Sequence, residues 1–193
     1  MEGCAHEAVA CFMCGLQHCP ETSDCSAIRE LQEILDDANA TPLSLAITTA
    51  TKAHDGQVDK SGQPYIFHPL RVMLALLGES EDVQIVAVLH DVIEDTSVTL
   101  QSIAGSFSVE VVAALDAITH MPNESNGEYM ERVCANAIAK RVKLFDILDN
   151  MWPPRMSRLD VKTQARLTAK YKEMLRHLHA DAHAAEGECW SRK

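Results

Sequence analysis

One helical segment near the middle of the chain has no polar face. Residues 81–94 have the pattern of a helix, and its centre, residues 85–89, is apolar on every side. A helix that is hydrophobic all round packs inside a core. The same segment ends in two pairs of ionisable residues, His90-Asp91 and Glu94-Asp95. Because residues four apart stack on one face of a helix, these groups form one polar strip at the end of a buried helix.

This polar strip needs partners, because burying charged groups without them is costly. Either the strip faces solvent, or it faces a charged ligand such as a metal ion. Further candidate ligands lie elsewhere: His68 opens the preceding helix, and Asp146 and Asn150 share a face of a later helix. Two histidines and two aspartates that converge on one metal form a mixed nitrogen and oxygen ligand set, which suits manganese, zinc or iron.

The rest of the pattern is helical, so we predict an all-α fold. Thr41-Pro42 provides an N-cap and a proline at the first helical position. We expect Leu43, Leu45, Ile47 and Ala50 on the buried side of that helix. Further helices are predicted over residues 69–77, 99–107, 109–118, 128–137, 139–151 and 160–183, with another that begins at Ser26.

The cysteines suggest how the chain is organised. Five of the seven lie within the first 25 residues. We predict that residues 1–25 form a flexible, cysteine-rich appendage, that residues 26–185 form one domain, and that residues 186–193 form a tail. An alternative for the appendage is a Zn²⁺ site, built on the Cys-x-x-Cys pair with neighbouring cysteines and histidines. Its members would be Cys4, His6, Cys11, Cys14, His18, Cys19 and Cys25.

Charge and hydropathy narrow the class of partner. The net charge is -11, and an acidic chain repels a phosphate backbone, so nucleic acid is excluded as a partner. A small anionic substrate is compatible with this charge, because a metal ion and a few local cations reverse the field inside one cleft. Since the sequence has neither a membrane-length apolar run nor an export signal, we expect a soluble, cytoplasmic protein without membrane contacts. The sequence carries no signal for an oligomeric state.

Three segments, in this order, resemble the hydrolase domain of the RelA/SpoT alarmone enzymes. Residues 53–70 contain AHDGQ and KSGQPYIFHPL, residues 89–96 are LHDVIEDT, and residues 142–151 are VKLFDILDNM. The likeness extends from about residue 42 to residue 178. Too few residues follow Asn150 for the synthetase domain of the two-activity enzymes, so the chain resembles the small alarmone hydrolases, which have the hydrolase domain alone.

The resemblance implies an HD-domain helical bundle that binds one divalent metal ion, usually manganese. It assigns a role to nine side chains: metal ligands His68, His90, Asp91 and Asp146, a water-activating acidic pair Glu94 and Asp95, and substrate-contacting Lys60, Tyr65 and Asn150. The implied reaction is hydrolysis of the 3′-pyrophosphate of guanosine tetra- or pentaphosphate, which gives GDP or GTP and pyrophosphate, as in the stringent response.

Two positions depart from the family pattern and leave alternatives open. Asp59 stands where the family often has Arg or Lys, which reverses a charge near the presumed base pocket. The substrate could therefore be another nucleotide, such as an adenosine alarmone, NADPH or a deoxynucleotide. Phe145 stands where the family often has Ala, and we interpret it as a core-filling residue. A third hypothesis is a non-catalytic sensor module with the same fold. For Arg141, Lys143 and Arg155, a solvated face is the default interpretation, and contact with the substrate phosphates is the alternative.

Overall fold

The computed structural model describes residues 41–60 and 62–178. The regular elements in these ranges are helices, accompanied by one isolated antiparallel bridge between Val58 and Pro64. The predicted all-α class is confirmed. In chain order the helices are α1 (Pro42–Ala53), α2 (Phe67–Ala75), α3 (Glu81–Leu89), α4 (Val92–Asp95), α5 (Leu100–Ile103), α6 (Val109–Ile118), α7 (Asn126–Ala135), α8 (Ala137–Asn150), α9 (Pro153–Met156) and α10 (Val161–His177), with a 3-10 turn at Ala104–Ser106.

Several predicted features fall outside the described residues. These are the cysteine-rich appendage with its alternative zinc site, the helix that begins at Ser26, the end of the last helix, and the tail. The domain boundaries at residues 26 and 185 therefore stay predictions.

Helix α3 occupies the centre of the core, as its apolar pattern predicts. Its residues Val86, Ala87, Val88 and Leu89 are completely buried. Helices α1, α2, α6 and α8 all pack against it. The Ser80 side chain caps its start by accepting a hydrogen bond from the Val83 amide. Because the C-terminal half of α3 is buried on all sides, His90, which directly follows this helix, also lies in the protein interior.

The predicted helix over residues 81–94 is interrupted, which corrects that expectation. Helix α3 ends at Leu89, and the short helix α4 begins at Val92. The His90 imidazole Nδ1 lies 2.8 Å from the Ala87 carbonyl oxygen and donates to it. In a continuous helix that carbonyl would accept from the amide four residues on, so the side chain competes with the backbone at this point. The interruption places His90 and Asp91 at a turn between two helices.

The buried face of α1 differs by one residue from the prediction. The residues that pack inward are Ala46 and Ala50, with Leu43 and Ile47 against the core, a spacing of three and four residues. Leu45 is 38% exposed, so its predicted burial is wrong, since it lies about 100° around the helix from Ala46. The predicted Thr41 cap is confirmed, because its hydroxyl accepts from the Ser44 amide.

One asparagine ends α7 and begins α8. Asn136 has an extended backbone, and its side-chain oxygen accepts a hydrogen bond from the Ala139 amide at 3.0 Å. Helix α8 therefore begins at Ala137, two residues before the predicted start. The last helix, α10, is capped by Asp160; Leu167 and Met174 on this helix are buried, as is Leu178 directly after it. Among the described residues, no helix has the length and hydrophobicity to span a membrane.

We predict that Asn136→Ala lowers the free energy of unfolding by about 1 kcal/mol, because the first turn of α8 loses its cap. Urea titration of the metal-free protein measures this change. The matched control is Asn126→Ala on the exposed first turn of α7, where no side-chain hydrogen bond is present among the described residues and the expected change is below about 0.5 kcal/mol. Equal losses in the two variants would show that Asn136 does not act as a cap.

Candidate metal centre and adjoining cleft

Four side chains from four helical segments converge at the C-terminal end of α3. His68 lies in the first turn of α2, His90 follows α3, Asp91 directly precedes α4 and Asp146 projects from α8. His68 Nε2 is 3.1 Å from Asp146 Oδ1 and 3.6 Å from Asp91 Oδ2. His90 Nε2 is 3.1 Å from Asp91 Oδ2 and 3.7 Å from Asp146 Oδ1. One donor atom from each of His68, His90 and Asp146 lies within 4.8 Å of the others.

The orientation of the two imidazoles tests whether this cluster suits a cation. His90 Nδ1 donates to the Ala87 carbonyl, and His68 Nδ1 lies 2.7 Å from Asp149 Oδ2, which also accepts. In each neutral ring, Nε2 is then the lone-pair nitrogen that turns toward the carboxylates. His90 Nε2 is buried and has no hydrogen-bond partner among the described residues. Lone pairs that face carboxylates repel unless a positive charge lies between them, so the donor set fits a divalent metal ion.

The pKa shifts of the clustered side chains also indicate that positive charge stabilises this arrangement. Burial acts to lower the pKa of His68 and of His90, yet the facing aspartates outweigh it and raise both. Burial acts to raise the pKa of Asp91, but the charges of the facing His90 and His68 imidazoles outweigh it and lower the pKa. Without a metal ion, protons on the imidazoles therefore supply the missing charge.

A buried lysine partly neutralises the cluster. Lys143 Nζ is 2.8 Å from Asp146 Oδ2, and it lies 5.3 Å from the centre of the Tyr129 ring. Burial opposes its charge, but Asp146 outweighs that effect and raises the pKa of the Lys143 amine well above its ordinary value. Asn150 Nδ2 also donates to the other oxygen, Asp146 Oδ1. Asp146 is thereby fixed from both sides by residues of its own helix.

The Tyr65 hydroxyl connects the carboxylates of Asp91 and Asp95. It lies 2.6 Å from Asp91 Oδ2 and 3.0 Å from Asp95 Oδ2, so its single proton is shared between two carboxylates. Burial, followed by the Asp91 charge, raises the pKa of this hydroxyl far above its ordinary value. Its ring packs against that of His54, whose Nδ1 pairs with Gln57. Tyr65 borders the cleft as predicted for a substrate contact, but its hydroxyl is directed at Asp91 and Asp95.

Glu94 is exposed beside the cluster and is partly anchored. Its Oε2 accepts a hydrogen bond from the His120 amide at 3.1 Å. The Arg132 guanidinium holds that loop by donating to the Thr119 carbonyl and by pairing with Glu124 at 2.7 Å. One carboxylate oxygen of Glu94 is therefore fixed, and the other stays available to the cleft.

A cleft of about 350 Å³ opens over the cluster. Its walls carry acidic residues from the α3–α4 turn and four basic side chains from separate segments. The nine charged lining residues are Asp59, Lys60, Asp91, Glu94, Asp95, Lys143, Asp146, Arg155 and Lys170. Partial burial and the Lys143 charge lower the pKa of Lys170. An anion that enters this cleft would relieve the repulsion between Lys143 and Lys170.

The sequence pattern did not place three of the cleft residues, Lys143, Lys170 and Tyr171, at the site. Lys143 was assigned to a solvated face, but its side chain is 14% exposed and lies in the site. Its spacing of three residues from Asp146 was the available signal, and the same spacing leads on to Asp149. Lys170 and Tyr171 reach the cleft from α10, and no local motif marked them.

The two departures from the family pattern have defined surroundings. Phe145 is 8% exposed and belongs to the core, which confirms its interpretation as a filling residue. Asp59 Oδ2 lies 3.9 Å from Arg155 Nε, and its Oδ1 accepts from the Gln63 amide. Arg155, which was also assigned to a solvated face, is 13% exposed and lines the cleft. The reversed charge at residue 59 is therefore partly offset by Arg155.

A family comparison identifies the fold. The sequence profile described as HD domain matches residues 46–182. The chain belongs to the HD domain family. A solved structure, described as a metazoan ortholog of SpoT that hydrolyses ppGpp, superposes with a TM-score of 0.65 and 21% identity over 78% of this chain and 94% of that one. The predicted HD-domain helical bundle is confirmed.

Curated relatives are similar in sequence to this HD domain. A probable GTP pyrophosphokinase of Mycobacterium leprae is 31% identical over 153 residues, which cover 75% of this chain. A guanosine-3′,5′-bis(diphosphate) 3′-pyrophosphohydrolase of Aquifex aeolicus is 35% identical over 123 residues, or 58% of this chain. These matches confirm the resemblance to the RelA/SpoT family. The chain spans about a fifth of the length of these relatives, 19% and 18%.

We predict that Tyr65→Phe weakens Mn²⁺ binding about 10-fold, because Asp91 and Asp95 lose the hydroxyl that fixes them. Isothermal titration with Mn²⁺ measures the change. Tyr171→Phe is the matched control: this tyrosine also lines the cleft, and its hydroxyl makes no hydrogen bond within residues 41–60 and 62–178. If both variants bind Mn²⁺ like the wild type, the Tyr65 hydroxyl has no part in ordering the ligands.

Proposed function

We propose that this HD domain hydrolyses the 3′-pyrophosphate of guanosine tetra- or pentaphosphate, with GDP or GTP and pyrophosphate as products. The observation that carries the proposal is the convergence of His68, His90, Asp91 and Asp146 at the floor of a cleft lined by lysines. The activity named for the Aquifex aeolicus relative and the one described for the metazoan SpoT ortholog support this substrate.

We propose that these four side chains hold one divalent ion, with Mn²⁺ as the preferred metal. Imidazole and carboxylate donors together suit a metal of intermediate hardness. A divalent ion supplies positive charge that lowers the pKa of water toward about 7 and neutralises phosphoryl oxygens. The Ala87 carbonyl orients His90, as Asp149 does His68, so both rings present Nε2 without a change of tautomer.

Glu94 serves as the proton acceptor in this proposal. Its Oε2 is held by the His120 amide, which leaves Oε1 for a water molecule in the cleft. The hydrolytic water must lose a proton as its oxygen joins phosphorus, and an exposed carboxylate beside the metal ligands is placed to take it. Asp95 shares the Tyr65 proton with Asp91, so its contribution is to fix the acidic pair.

The cations of the cleft would bind the phosphates. Lys60 and Lys170 line the cleft from opposite segments, and no side-chain hydrogen bond or ion pair engages either ammonium among the described residues. Lys143 is already bound to Asp146, so it screens the metal ligands and contributes charge. The Asn150 amide, which donates to Asp146, lies at the same wall and would contact the substrate at its edge.

A second candidate substrate is another purine nucleotide. The observation that favours it is Asp59, an acidic residue in the cleft wall where the family often has a basic one. A carboxylate accepts hydrogen bonds from the amino group of adenine as well as from that of guanine. An adenosine alarmone, NADPH and a deoxynucleotide therefore belong in the same assay as guanosine tetraphosphate.

We predict Mn²⁺-dependent release of pyrophosphate from guanosine tetraphosphate, lost in chelator. His90→Ala should reduce turnover at least about 100-fold, because one of four proposed ligands is removed. His177→Ala, at the exposed end of α10, is the matched control and should keep wild-type turnover. Turnover of another nucleotide alone would move the assignment to the second candidate. No turnover of any of them, with Mn²⁺ bound, would favour the non-catalytic sensor module.

Glu94→Gln should lower kcat by about 100-fold or more while Mn²⁺ binding is retained, since the amide keeps the shape of the side chain but accepts no proton. The rate is measured at saturating Mn²⁺, and metal content is measured on the same sample. Glu128→Gln, on an exposed turn of α7, controls for loss of an acidic charge. A Glu94→Gln protein with near-wild-type kcat would exclude Glu94 as the proton acceptor.

A further inference from the structure

Asp149 lies on α8 directly behind the proposed metal centre. Its Oδ2 is 2.7 Å from His68 Nδ1, and the Arg71 guanidinium binds both of its oxygens, at 2.7 Å from Nε and 2.9 Å from Nη2. Arg155 Nη1 lies 3.3 Å from the same Oδ2. The Asp149 side chain is 11% exposed. No sequence motif assigned it a role.

The contact with His68 determines which nitrogen faces the cluster. A carboxylate only accepts hydrogen bonds, so the proton of the neutral His68 ring stays on Nδ1 and the lone pair on Nε2 points at Asp146 and Asp91. If Asp149 were absent, either nitrogen could carry the proton.

The surroundings of Asp149 strengthen this contact. A cavity of about 210 Å³ borders Asp149 on the side away from the cleft, and its walls include Val72, Phe145 and Trp152. Low polarity around a charged hydrogen bond makes it stronger. Arg71 and Arg155 both form ion pairs with this carboxylate and hold it in place. Arg155 also lies 3.9 Å from Asp59, which links this network to the loop that borders the cleft.

We infer that Asp149 is a positioning residue, which holds His68 in the tautomer and orientation that a metal ion requires, with Arg71 and Arg155 holding Asp149. The inference rests on the proposed metal site but is independent of the substrate. Helix α8 then serves the proposed metal site twice: Asp146 is a ligand, and Asp149 orients His68, a ligand from α2.

Two substitutions of graded severity test this role. Asp149→Asn keeps an oxygen that accepts from His68 but loses the charge, and Asp149→Ala removes both. Mn²⁺ affinity, measured by isothermal titration, should fall about 10-fold in Asp149→Asn and approach 100-fold in Asp149→Ala. In the Zn²⁺-loaded protein, the His68 Nδ1 proton should be visible by nitrogen-edited NMR in the wild type and lost to solvent exchange in Asp149→Ala.

The controls separate positioning from simple stabilisation. Arg71→Met removes the guanidinium that holds both Asp149 oxygens but leaves the Asp149–His68 contact, so Mn²⁺ affinity should fall by less than it does in Asp149→Ala. Glu79→Gln removes an acidic group that pairs with Arg141 away from the cluster, and should leave affinity unchanged.

Each outcome is decisive. If Asp149→Asn and Asp149→Ala bind Mn²⁺ as tightly as the wild type and differ from it only in thermal midpoint, Asp149 is a structural ion-pair partner and the inference is wrong. If the wild type itself binds no Mn²⁺, Co²⁺ or Zn²⁺, the proposed metal site fails first. Circular dichroism on every variant shows whether a loss of binding follows from loss of the fold.

Discussion

The structure depends on two buried imidazoles whose Nδ1 groups are already committed. His90 donates to the Ala87 carbonyl and His68 to Asp149, so both Nε2 atoms face Asp91 and Asp146. Acceptors brought together inside a protein are stable only with positive charge between them. The helices around α3 create this arrangement, and the arrangement in turn explains why Lys143 is buried beside Asp146 and why protons bind so readily to the two rings.

Helix α8 combines a core face with a polar face. Val142, Phe145 and Ile147 pack into the interior. The other face presents a screening cation, a proposed ligand, a ligand-orienting carboxylate and an amide at the cleft wall, in the order Lys143, Asp146, Asp149 and Asn150. Asn136 caps the start of this helix, and the spacing of these residues along it places all four side chains on one face. Loss of register in α8 would affect the cluster and the cleft together.

The sequence was sufficient for the fold class and for the segments that carry the cluster. The continuous apolar face of residues 85–89 predicted a central helix, and the three matching segments predicted an HD domain. The interruption at His90 was not predictable from periodicity, because it depends on a side-chain hydrogen bond to the backbone. Lys170 and Arg155 reach the cleft through tertiary packing, for which no local pattern exists. Tyr65 was found by resemblance, but its hydroxyl contacts with Asp91 and Asp95 required the structure.

The proposed function depends on a divalent metal ion that binds between His68, His90, Asp91 and Asp146. The most direct measurement is an anomalous difference map from crystals grown with Mn²⁺ and recorded at a photon energy just above the manganese absorption edge. The account predicts one strong peak within bonding distance of both Nε2 atoms and of the Asp91 and Asp146 carboxylates. A map with no peak there, from protein that still hydrolyses nucleotide in chelator, would contradict it.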